Sequence, residues 1–276
     1  MVAFLQSLLR EHMIRVLLAF AFGYVLLCVA LYLFQERLIF LPERDGPNTV
    51  YNFGLPFSEI FIPVDGAMLH ALHFPAPQAK GVVLYLHGNA GSLRTWGMVA
   101  PDLVQHGYDV LIVDYRGYGK SSGTISSESQ LHRDVDAVYS YLLARYPAEQ
   151  IVVYGRSLGS GLATRLAAQQ PVQMLILESP FHSLADLARR QMPFAPAFLL
   201  KYPLRTYAWI GQVSSPIVMF HGRADEVVPF AASERLQAYA TAPVTFIAIE
   251  GGGHNDLARF PAYHAGLAAA LGSVRP

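Results

Sequence analysis

Six short apolar runs alternate with segments of helical pattern, and this alternation restricts the fold more than any other feature of the sequence. The runs occupy residues 82–86, 110–113, 151–154, 174–177, 217–220 and 244–249. They are too short for helices and rich in Val, Ile and Leu, which is typical of strands buried on both faces of a parallel sheet. Two further β-rich runs, at residues 59–63 and 68–74, precede them.

Helical patterns fill the gaps between these runs, at residues 93–105, 126–145, 157–168, 231–240 and 256–271. Strands alternating with helices predict an α/β fold with right-handed crossovers and a mostly parallel sheet of about eight strands, flanked by helices. The predicted domain spans residues 55–276. Residues 181–213 break the alternation, since Pro193, Pro196 and Pro203 stand among apolar residues there, and we interpret them as a small lid-like insertion above the sheet.

The N-terminal part of the chain contains a long uncharged segment. Residues 16–34 include no charged residue and no proline, and as a helix they would be about 29 Å long, close to the roughly 30 Å hydrocarbon core of a bilayer. A secretory signal has a shorter apolar core and a cleavage site that Cys28-Val29-Ala30 matches poorly. A helix buried in a protein core is the other alternative. We predict a transmembrane anchor at 16–34 in contact with the lipid bilayer, between an N-terminal tail at 1–15 and a linker at 35–54.

Basic residues on the two sides of this segment nearly balance. Arg10 and Arg15 precede it, and Arg37 and Arg44 follow it. Because the free amine adds to the first group, the positive-inside rule favours a cytoplasmic N-terminus. The expected topology is a single-pass protein with an extracytoplasmic domain.

Composition argues against several classes of function. The formal net charge is zero and there is one cysteine. The chain therefore has no basic stripe for nucleic acid, and it lacks the thiols for an intrachain disulfide or a Cys-based zinc site. No group of His, Asp and Glu has metal-ligand spacing in the sequence. We expect no nucleic-acid partner, no metal and no cofactor.

The strongest single motif is G-x-S-x-G at residues 155–159, in which Ser157 lies between Gly155 and Gly159. It follows the predicted strand at 151–154 and begins a predicted helix, as a nucleophile elbow does. The flanking residues must be small because strand and helix approach closely at such a turn. A glycine-rich turn with an incidental serine is the alternative. We predict Ser157 as a nucleophile.

A serine hydroxyl needs a base to take its proton. Among the 10 histidines, His254 lies in a glycine-rich loop after the last predicted strand. Such a loop lets an imidazole reach across the strand ends, although a surface-loop histidine is the alternative. His221 and His87 also follow predicted strands, but each precedes a glycine, and we interpret both as structural histidines with satisfied hydrogen bonds.

A buried acid must hold such a base in one tautomer. Asp225 lies in the loop after the predicted strand at 217–220 and is our candidate, with Glu226 and Asp256 as alternatives. The order Ser157, Asp225, His254 along the chain is the order of the triad in α/β hydrolases.

Two loops are candidates for binding the reacting group. Residues 87–92 follow the strand at 82–86 and include the small residues Gly88, Ala90 and Gly91, so that main-chain amides of the loop can face a ligand. We predict that the amides of Asn89 and Leu158 form an oxyanion hole. We also predict Gly88, Tyr115 and Phe181 as substrate-binding residues.

The loop at residues 114–123 is only partly similar to a phosphate loop. Asp114 stands where the pattern G-x-x-x-x-G-K-[ST] needs its first glycine, and we interpret the loop as a structural one that lines the pocket. Asp134 and Asp136 lie on a polar predicted helix, and we expect both to be solvated.

These motifs, taken in order, resemble the bud-emergence-like branch of the α/β-hydrolase-domain proteins, a group of often membrane-anchored serine hydrolases. The resemblance runs from Gln35 to the C-terminus and is carried by residues 35–42 (QERLIFLP), 87–91 (HGNAG), 114–119 (DYRGYG), 155–159 (GRSLG), 178–181 (ESPF), 221–225 (HGRAD) and 252–256 (GGHND). It implies the α/β-hydrolase fold, a triad at Ser157, Asp225 and His254, and often an N-terminal anchor. Relatives include carboxylesterase-like and protein-depalmitoylating enzymes, but this chain lacks the cysteine-rich N-terminus of the depalmitoylating members.

The expected function is that of a membrane-anchored serine hydrolase. It would cleave a carboxylic ester or thioester of a small-molecule or lipid-like acyl substrate through an acyl-enzyme. Two alternatives stay open: a peptidase of the serine aminopeptidase type, which shares the triad, and a non-enzymatic membrane protein on the same scaffold. Dehalogenases and epoxide hydrolases use a carboxylate at the elbow, and Ser157 excludes that chemistry.

Overall fold

An eight-stranded sheet is the central element of the computed structural model, which describes residues 1–272. The strands are β1 (Leu41–Pro42), β2 (Ser58–Val64), β3 (Ala67–Phe74), β4 (Val82–Leu86), β5 (Ala90–Gly91), β6 (Asp109–Val113), β7 (Ile151–Arg156), β8 (Met174–Glu178), β9 (Ile217–Gly222) and β10 (Val244–Ile249). The α-helices are α1 (Val2–Ile39), α2 (Leu93–Trp96), α3 (Ala100–Val104), α4 (Glu128–Leu143), α5 (Leu158–Gln169), α6 (Leu184–Gln191), α7 (Thr206–Ile210), α8 (Phe230–Gln237) and α9 (Pro261–Gly272). Short 3₁₀ turns lie at Gly97–Val99, Ala148–Gln150, Ala197–Leu199 and Leu257–Arg259.

The large sheet is parallel except at one edge. Its strand order is β10-β9-β8-β7-β4-β6-β3-β2, with β2 antiparallel to β3 and β3 antiparallel to β6. Every residue of β4, β6 and β8 is buried. Alternate residues of β4 belong to two separate apolar clusters, one on each face of the sheet. Strands that are apolar throughout need cover on both faces, and the predicted α/β fold is confirmed.

The strand order brings the loops of interest to one edge. β4, β7, β8, β9 and β10 run parallel to their neighbours. The loops that follow them therefore leave the sheet at the same end, where open α/β sheets bind their ligands.

Two predicted helices have different boundaries in the structure. The pattern at residues 93–105 is split into α2, a 3₁₀ turn and α3, and Gly97 at the start of the turn packs tightly against the ring of Phe53. The pattern at 256–271 becomes helical only at Pro261. Phe260 is held extended (φ −103°, ψ 130°), as expected for a residue that precedes proline.

Helix α1 is longer than the segment predicted to span a membrane. It begins at Val2 and ends at Ile39, so it includes most of the predicted tail at 1–15 and extends past residue 34. Within the described residues it is the one helix long and apolar enough to cross a membrane, and its apolar window is 0% buried. Length and composition thus suit a membrane span or a signal sequence.

The segment at residues 40–54, within the linker predicted at 35–54, packs against the domain. Phe40, Tyr51 and Phe53 are buried. β1 pairs in parallel with β5. The buried carboxylate of Asp45 accepts hydrogen bonds from Ser92 (2.9 Å) and from Tyr51 (3.2 Å). The sequence does not predict this packing, because the apolar residues of the segment follow neither a helical nor a strand period.

Residues 181–213, which we call the insertion, connect β8 to β9. They contain α6, the 3₁₀ turn at Ala197–Leu199 and α7. The hydroxyl of Tyr24 in α1 donates to the carbonyl of Phe194 (2.9 Å), and the amide of Gln35 donates to the carbonyl of Leu199 (2.9 Å). The insertion therefore lies against α1 as well as against the sheet.

The expectation that Asp134 is solvated was wrong. Its side chain is buried in α4, where Arg116 donates to both carboxylate oxygens, from Nε at 2.6 Å and from Nη2 at 2.8 Å. The same guanidinium donates to the carbonyl of Asp65 at 2.6 Å. The sequence pattern of a polar helix does not indicate this burial, because the partner, Arg116, comes from a loop that is distant in the sequence. Asp136 is partly exposed and pairs with Arg165.

The two aspartates of α4 give a matched test of this burial. Asp134→Ala leaves the Arg116 guanidinium buried without its partner, and we expect the free energy of unfolding to fall by about 3–5 kcal/mol. Asp136→Ala removes a partly exposed pair on the same helix, and we expect a loss of at most about 1 kcal/mol. Urea denaturation of both variants measures the difference; equal losses would contradict the assignment.

Candidate active site

Ser157 lies at the turn between β7 and α5 in a strained backbone conformation. Its φ and ψ angles are 49° and −116°, a conformation that costs about 1–3 kcal/mol for a non-glycine residue. The amide of Ser157 donates to the carbonyl of Glu178 on the neighbouring strand (2.9 Å). A side chain at Gly159 would overlap the carbonyl oxygen of Leu86. The second glycine of the motif is therefore required by the close packing of α5 on β4.

His254 contacts both Ser157 and Asp225. Its Nε2 is 3.0 Å from the Ser157 hydroxyl oxygen and its Nδ1 is 2.7 Å from Oδ2 of Asp225. The Asp225 side chain is fully buried and that of His254 is 10% exposed. Because an ionised carboxylate only accepts hydrogen bonds, Nδ1 carries the proton, and Nε2 can accept from the serine hydroxyl. The arrangement can transfer a proton from the serine to the imidazole.

The loop after β9 holds Asp225 in place. Oδ1 accepts from the amides of Val227 (2.9 Å) and Val228 (2.8 Å). His221 Nε2 is 3.2 Å from Oδ2, the oxygen that also faces His254. Burial by itself raises the pKa of the Asp225 carboxyl, but the hydrogen bonds from His221, His254 and the Val228 amide outweigh it. The net pKa lies below the usual range, so the carboxylate stays ionised.

A close approach brings the histidine loop to this carboxylate. A side chain at Gly222, the last residue of β9, would overlap the carbonyl oxygen of Gly252. The amide of Ala224 donates to that same carbonyl (2.9 Å). The loops that carry Asp225 and His254 are thus joined by main-chain contact.

Asn89 is fixed by three hydrogen bonds. Its carbonyl accepts from the amide of Leu41 (2.8 Å) and from the hydroxyl of Tyr118 (2.7 Å), and its side chain donates to the carbonyl of Ile39 (3.1 Å). The main-chain amides of Asn89 and Leu158 donate to no protein group within residues 1–272. Leu158 is the first residue of α5, where helix amides have no partner inside the helix.

An apolar cavity of about 220 Å³ adjoins Ser157. It is lined by Asn89, Ser157, Leu158 and Phe181, by α6 and the following residues up to Leu200, by Val227 and Val228, and by Leu31, Gln35, Leu38 and Ile39 of α1. Phe181 therefore lies where a substrate-binding residue was expected.

Gly88 and Tyr115 are absent from that lining. Gly88 is nonetheless close, since a Cβ there would lie 3.8 Å from the Cβ of Ser157. Tyr115 is buried, and its hydroxyl donates to the carbonyl of His87 (2.8 Å). It supports the loop that carries Asn89, and the role of Tyr115 in substrate binding stays a prediction.

Comparison with known proteins identifies the family to which this fold belongs. The profile of the α/β-hydrolase fold matches residues 81–208. The α/β-hydrolase domain-containing protein WAV2 of Arabidopsis thaliana is 31% identical over 265 residues, which cover 85% of this chain and 86% of that protein. The chain belongs to the α/β-hydrolase family. An uncharacterised protein of Mycobacterium tuberculosis is 35% identical over 231 residues, covering 80% of this hydrolase and 81% of its relative.

Solved structures show the same fold at lower identity. The Pyrococcus furiosus esterase Pf2001 superposes on this hydrolase with a TM-score of 0.70 and 19% identity, covering 84% of this chain and 97% of the esterase. Est1E of Butyrivibrio proteoclasticus, solved with ferulic acid bound, gives a TM-score of 0.60 and 20% identity, covering 78% of this chain and 95% of Est1E. At these identities the likeness concerns the fold.

The alternative acids of this hydrolase are placed differently. Glu226 is exposed to solvent. Asp256 accepts the amide of Gly253 in its own loop (2.7 Å). Among the three carboxylates, the contact with His254 is made by Asp225.

The two other histidines at strand ends are buried. The Nδ1 of His87 is 2.7 Å from the Gly88 carbonyl, and the Nε2 of His221 is 2.8 Å from the Val228 carbonyl. His221 also lies next to Asp225, a contact that the motif alone does not indicate.

Arg156, the variable position of the motif, was not predicted to have a role. Its Nη2 donates to the carbonyl of His254 (3.2 Å) and to the side chain of Asn255 (3.1 Å), and its Nε is 3.1 Å from Glu178 Oε1. It joins the histidine loop of this hydrolase to the serine turn. Because the motif G-x-S-x-G accepts any residue at this position, it does not indicate this contact.

Asp225→Asn tests the charge state of the buried acid. A carboxyl whose pKa is lowered on folding stabilises the protein above its unfolded pKa of about 3.9, and that contribution is lost as pH falls through the folded pKa. We expect the loss of unfolding free energy in Asp225→Asn to be constant above about pH 5 and to shrink below it. Denaturant unfolding of both proteins from pH 7 towards pH 3 measures it.

The adjacent exposed carboxylate provides the control for this experiment. Glu226→Gln should change the free energy of unfolding by no more than about 0.5 kcal/mol at each pH. A loss in Asp225→Asn that stayed constant throughout the acid range would contradict a lowered pKa.

Proposed function

We propose that this α/β hydrolase is a serine hydrolase that cleaves a carboxylic ester or thioester, with Ser157 as nucleophile, His254 as base and Asp225 as the acid that orients it. The observation that carries the proposal is the double contact of one imidazole, 3.0 Å to the serine hydroxyl and 2.7 Å to the carboxylate. A serine in this arrangement can lose its proton as it attacks a carbonyl. The esterase Pf2001 among its structural neighbours supports ester chemistry.

The reaction has two halves. The Ser157 oxygen attacks the acyl carbon while His254 Nε2 takes the hydroxyl proton, and the amides of Asn89 and Leu158 donate to the resulting oxyanion. His254 then gives that proton to the departing alcohol or thiol, which leaves an acyl-serine. In the second half a water molecule loses a proton to the same imidazole and attacks the acyl carbon. The imidazole then returns this proton to the Ser157 oxygen as the bond between that oxygen and the acyl carbon breaks, which releases the acid and restores the free serine.

The cavity favours an acyl ester over a peptide. An aminopeptidase must hold the charged amino group of its substrate, and a charge taken out of water needs an opposite charge as partner. No Asp or Glu occurs among the cavity-lining residues of the described chain. Most of that lining consists of Leu, Ile, Ala, Val, Met, Phe and Pro, which suits an acyl chain.

A non-enzymatic protein on this scaffold would not need the two energetically unfavourable features near Ser157. The positive φ of Ser157 is strained. Asn89 and Leu158 line the same cavity as the serine, and their main-chain amides have no protein partner within residues 1–272. Strain and unpaired donors together are typical of a site that binds a developing charge.

We further propose that residues 16–34 of α1 anchor the protein in a lipid bilayer, with the domain at 55–276 outside the cytoplasm and the insertion at 181–213 acting as a lid. The exposed apolar surface of α1 supports the anchor, and the weak excess of basic groups before it supports the orientation. The motifs of residues 35–42 and 87–91 support membership of the bud-emergence-like branch.

Labelling with a fluorophosphonate probe tests the nucleophile. We expect the full-length protein to be labelled and Ser157→Ala to lose labelling completely, because the probe reacts with an activated serine. Ser160→Ala is the matched control: that hydroxyl is buried, has no hydrogen-bond partner in the described chain, and lies one helical turn away. Labelling that survives in Ser157→Ala, or disappears equally in Ser160→Ala, would refute the assignment.

Substrate turnover separates the two enzymatic alternatives. We expect p-nitrophenyl acyl esters to be hydrolysed and aminoacyl p-nitroanilides to be turned over at least about a hundredfold more slowly in kcat/KM, since the cavity lacks a partner for the substrate amine. The measurement is initial-rate kinetics on both substrate series with one enzyme preparation. Preference for the anilides would favour the aminopeptidase.

A further inference from the structure

The cavity next to Ser157 is built partly by α1. Four of its lining residues, Leu31, Gln35, Leu38 and Ile39, belong to the last turns of that helix. The opposite wall is the insertion, from Leu184 to Leu200. A helix that served only as a tether would have no reason to form a wall of the cavity that contains the nucleophile.

The cavity continues onto the outer surface of α1. A second groove is lined by Ala30, Leu31, Phe34, Arg37 and Leu38, and it shares Leu31 and Leu38 with the cavity. Leu38 is 53% exposed although it lines the cavity, so it lies at the mouth. The cavity beside Ser157 and the groove on the uncovered face of α1 therefore border each other at Leu31 and Leu38.

The insertion reaches far along α1. The hydroxyl of Tyr24 donates to the carbonyl of Phe194 (2.9 Å). Tyr24 lies about 15 Å along the helix axis before residue 34, near the middle of the proposed span. Residues 191–200, which we call the tip, contain no charged residue, and its Phe194 and Phe198 are 52% and 84% exposed. A tip that is apolar and exposed at this depth suits the hydrocarbon layer.

Polar contacts fix the mouth at its other end. Gln35 donates to the carbonyl of Leu199 (2.9 Å) and accepts the amide of Lys201 (2.7 Å). Glu36 accepts from the Lys201 amine and from the Tyr202 hydroxyl, both at 3.0 Å. These contacts lie just past residue 34, where headgroups and water begin. They hold α1 and the insertion together while the apolar part of the junction faces lipid.

We infer that the cavity opens into the lipid layer, and that the substrate is a long-chain acyl ester resident in the bilayer, whose chain enters between α1 and the tip. The inference rests on the proposed serine hydrolase function and names its substrate class. An acyl chain that enters from the bilayer moves from one apolar environment to another. The substrate therefore needs no entrance on the side of the domain that faces water.

The test uses the full-length protein in phosphatidylcholine vesicles with two esters, water-soluble p-nitrophenyl acetate and vesicle-resident p-nitrophenyl palmitate. Leu31→Trp fills the wall where cavity and groove meet. We expect the ratio of palmitate turnover to acetate turnover to fall at least about tenfold. Leu33→Trp makes the same change on α1 at a residue that is 57% exposed and outside the cavity lining, and we expect it to alter neither rate.

A second pair of variants does not depend on cavity packing. Phe198→Asp places a charge on the tip, and we expect palmitate turnover in vesicles to fall while acetate turnover is kept, because a charge resists insertion into hydrocarbon. Phe61→Asp introduces the same charge at an exposed residue of β2 and should leave both rates unchanged.

Fluorophosphonate labelling of Ser157 accompanies each measurement and reports folded enzyme. Equal palmitate rates in Leu31→Trp and Leu33→Trp, or a parallel fall for both esters in labelled Leu31→Trp, overturn the lipid-side opening. A preference for a palmitoylated peptide over the lipid ester in the same vesicles overturns the substrate class. Wild-type protein that is neither labelled nor active on either ester overturns the hydrolase proposal itself.

Discussion

The close packing of α5 against the middle of the sheet is the constraint on which the rest of the site depends. Because Gly159 has no side chain, the helix can approach the carbonyl of Leu86, and the chain must then turn sharply at Ser157 with φ at 49°. This strain is held by strands that are buried throughout, β4 and β8 on either side of β7. A flexible turn would relax the strain and withdraw the hydroxyl from the imidazole.

The same constraint decides where the other two side chains can come from. Parallel strands place their following loops at one end of the sheet. The loop after β9 brings Asp225 and the loop after β10 brings His254, and Gly222 lets their main chains touch. Arg156 adds a third contact, from the serine turn itself to the histidine carbonyl. The imidazole is thus held from both sides before any substrate arrives, which is the condition for efficient proton transfer.

Much of this could be predicted from the sequence. Buried parallel strands leave an apolar signal that needs no knowledge of partners, so the strands were predicted well. Ser157, Asp225 and His254 were expected to meet, since each follows such a strand, and the structure brings them together; their catalytic role stays a proposal. Contacts made by side chains from distant loops left no such signal. Asp134 on α4 and Arg156 in the motif look like ordinary surface charges until their partners are known.

The division of the chain into anchor, linker and domain stays a prediction, and the apolar run on which it rests has a physical limit. A long apolar run indicates that a helix can enter a membrane, but it does not indicate which other surfaces that helix covers. In the structure the residues after the run continue the helix to Ile39, pair as β1 with the loop of Asn89, and bury Phe40. The carbonyl of Asn89 is held by the amide of Leu41. Helix α1 and the candidate oxyanion loop are therefore parts of one packed unit.

The apolar cavity also affects the ionisation of Asp225. Removing water strengthens every electrostatic interaction inside a site, but it also favours the neutral form of a carboxyl. Asp225 avoids that outcome because hydrogen bonds reach both of its oxygens, from the Val227 and Val228 amides on one side and from His221 and His254 on the other. In the proposed mechanism, the negative charge that faces a developing imidazolium is then kept by the fold and not by solvent. The proposed base could therefore work beside a cavity whose walls, an apolar helix and an apolar insertion, exclude water.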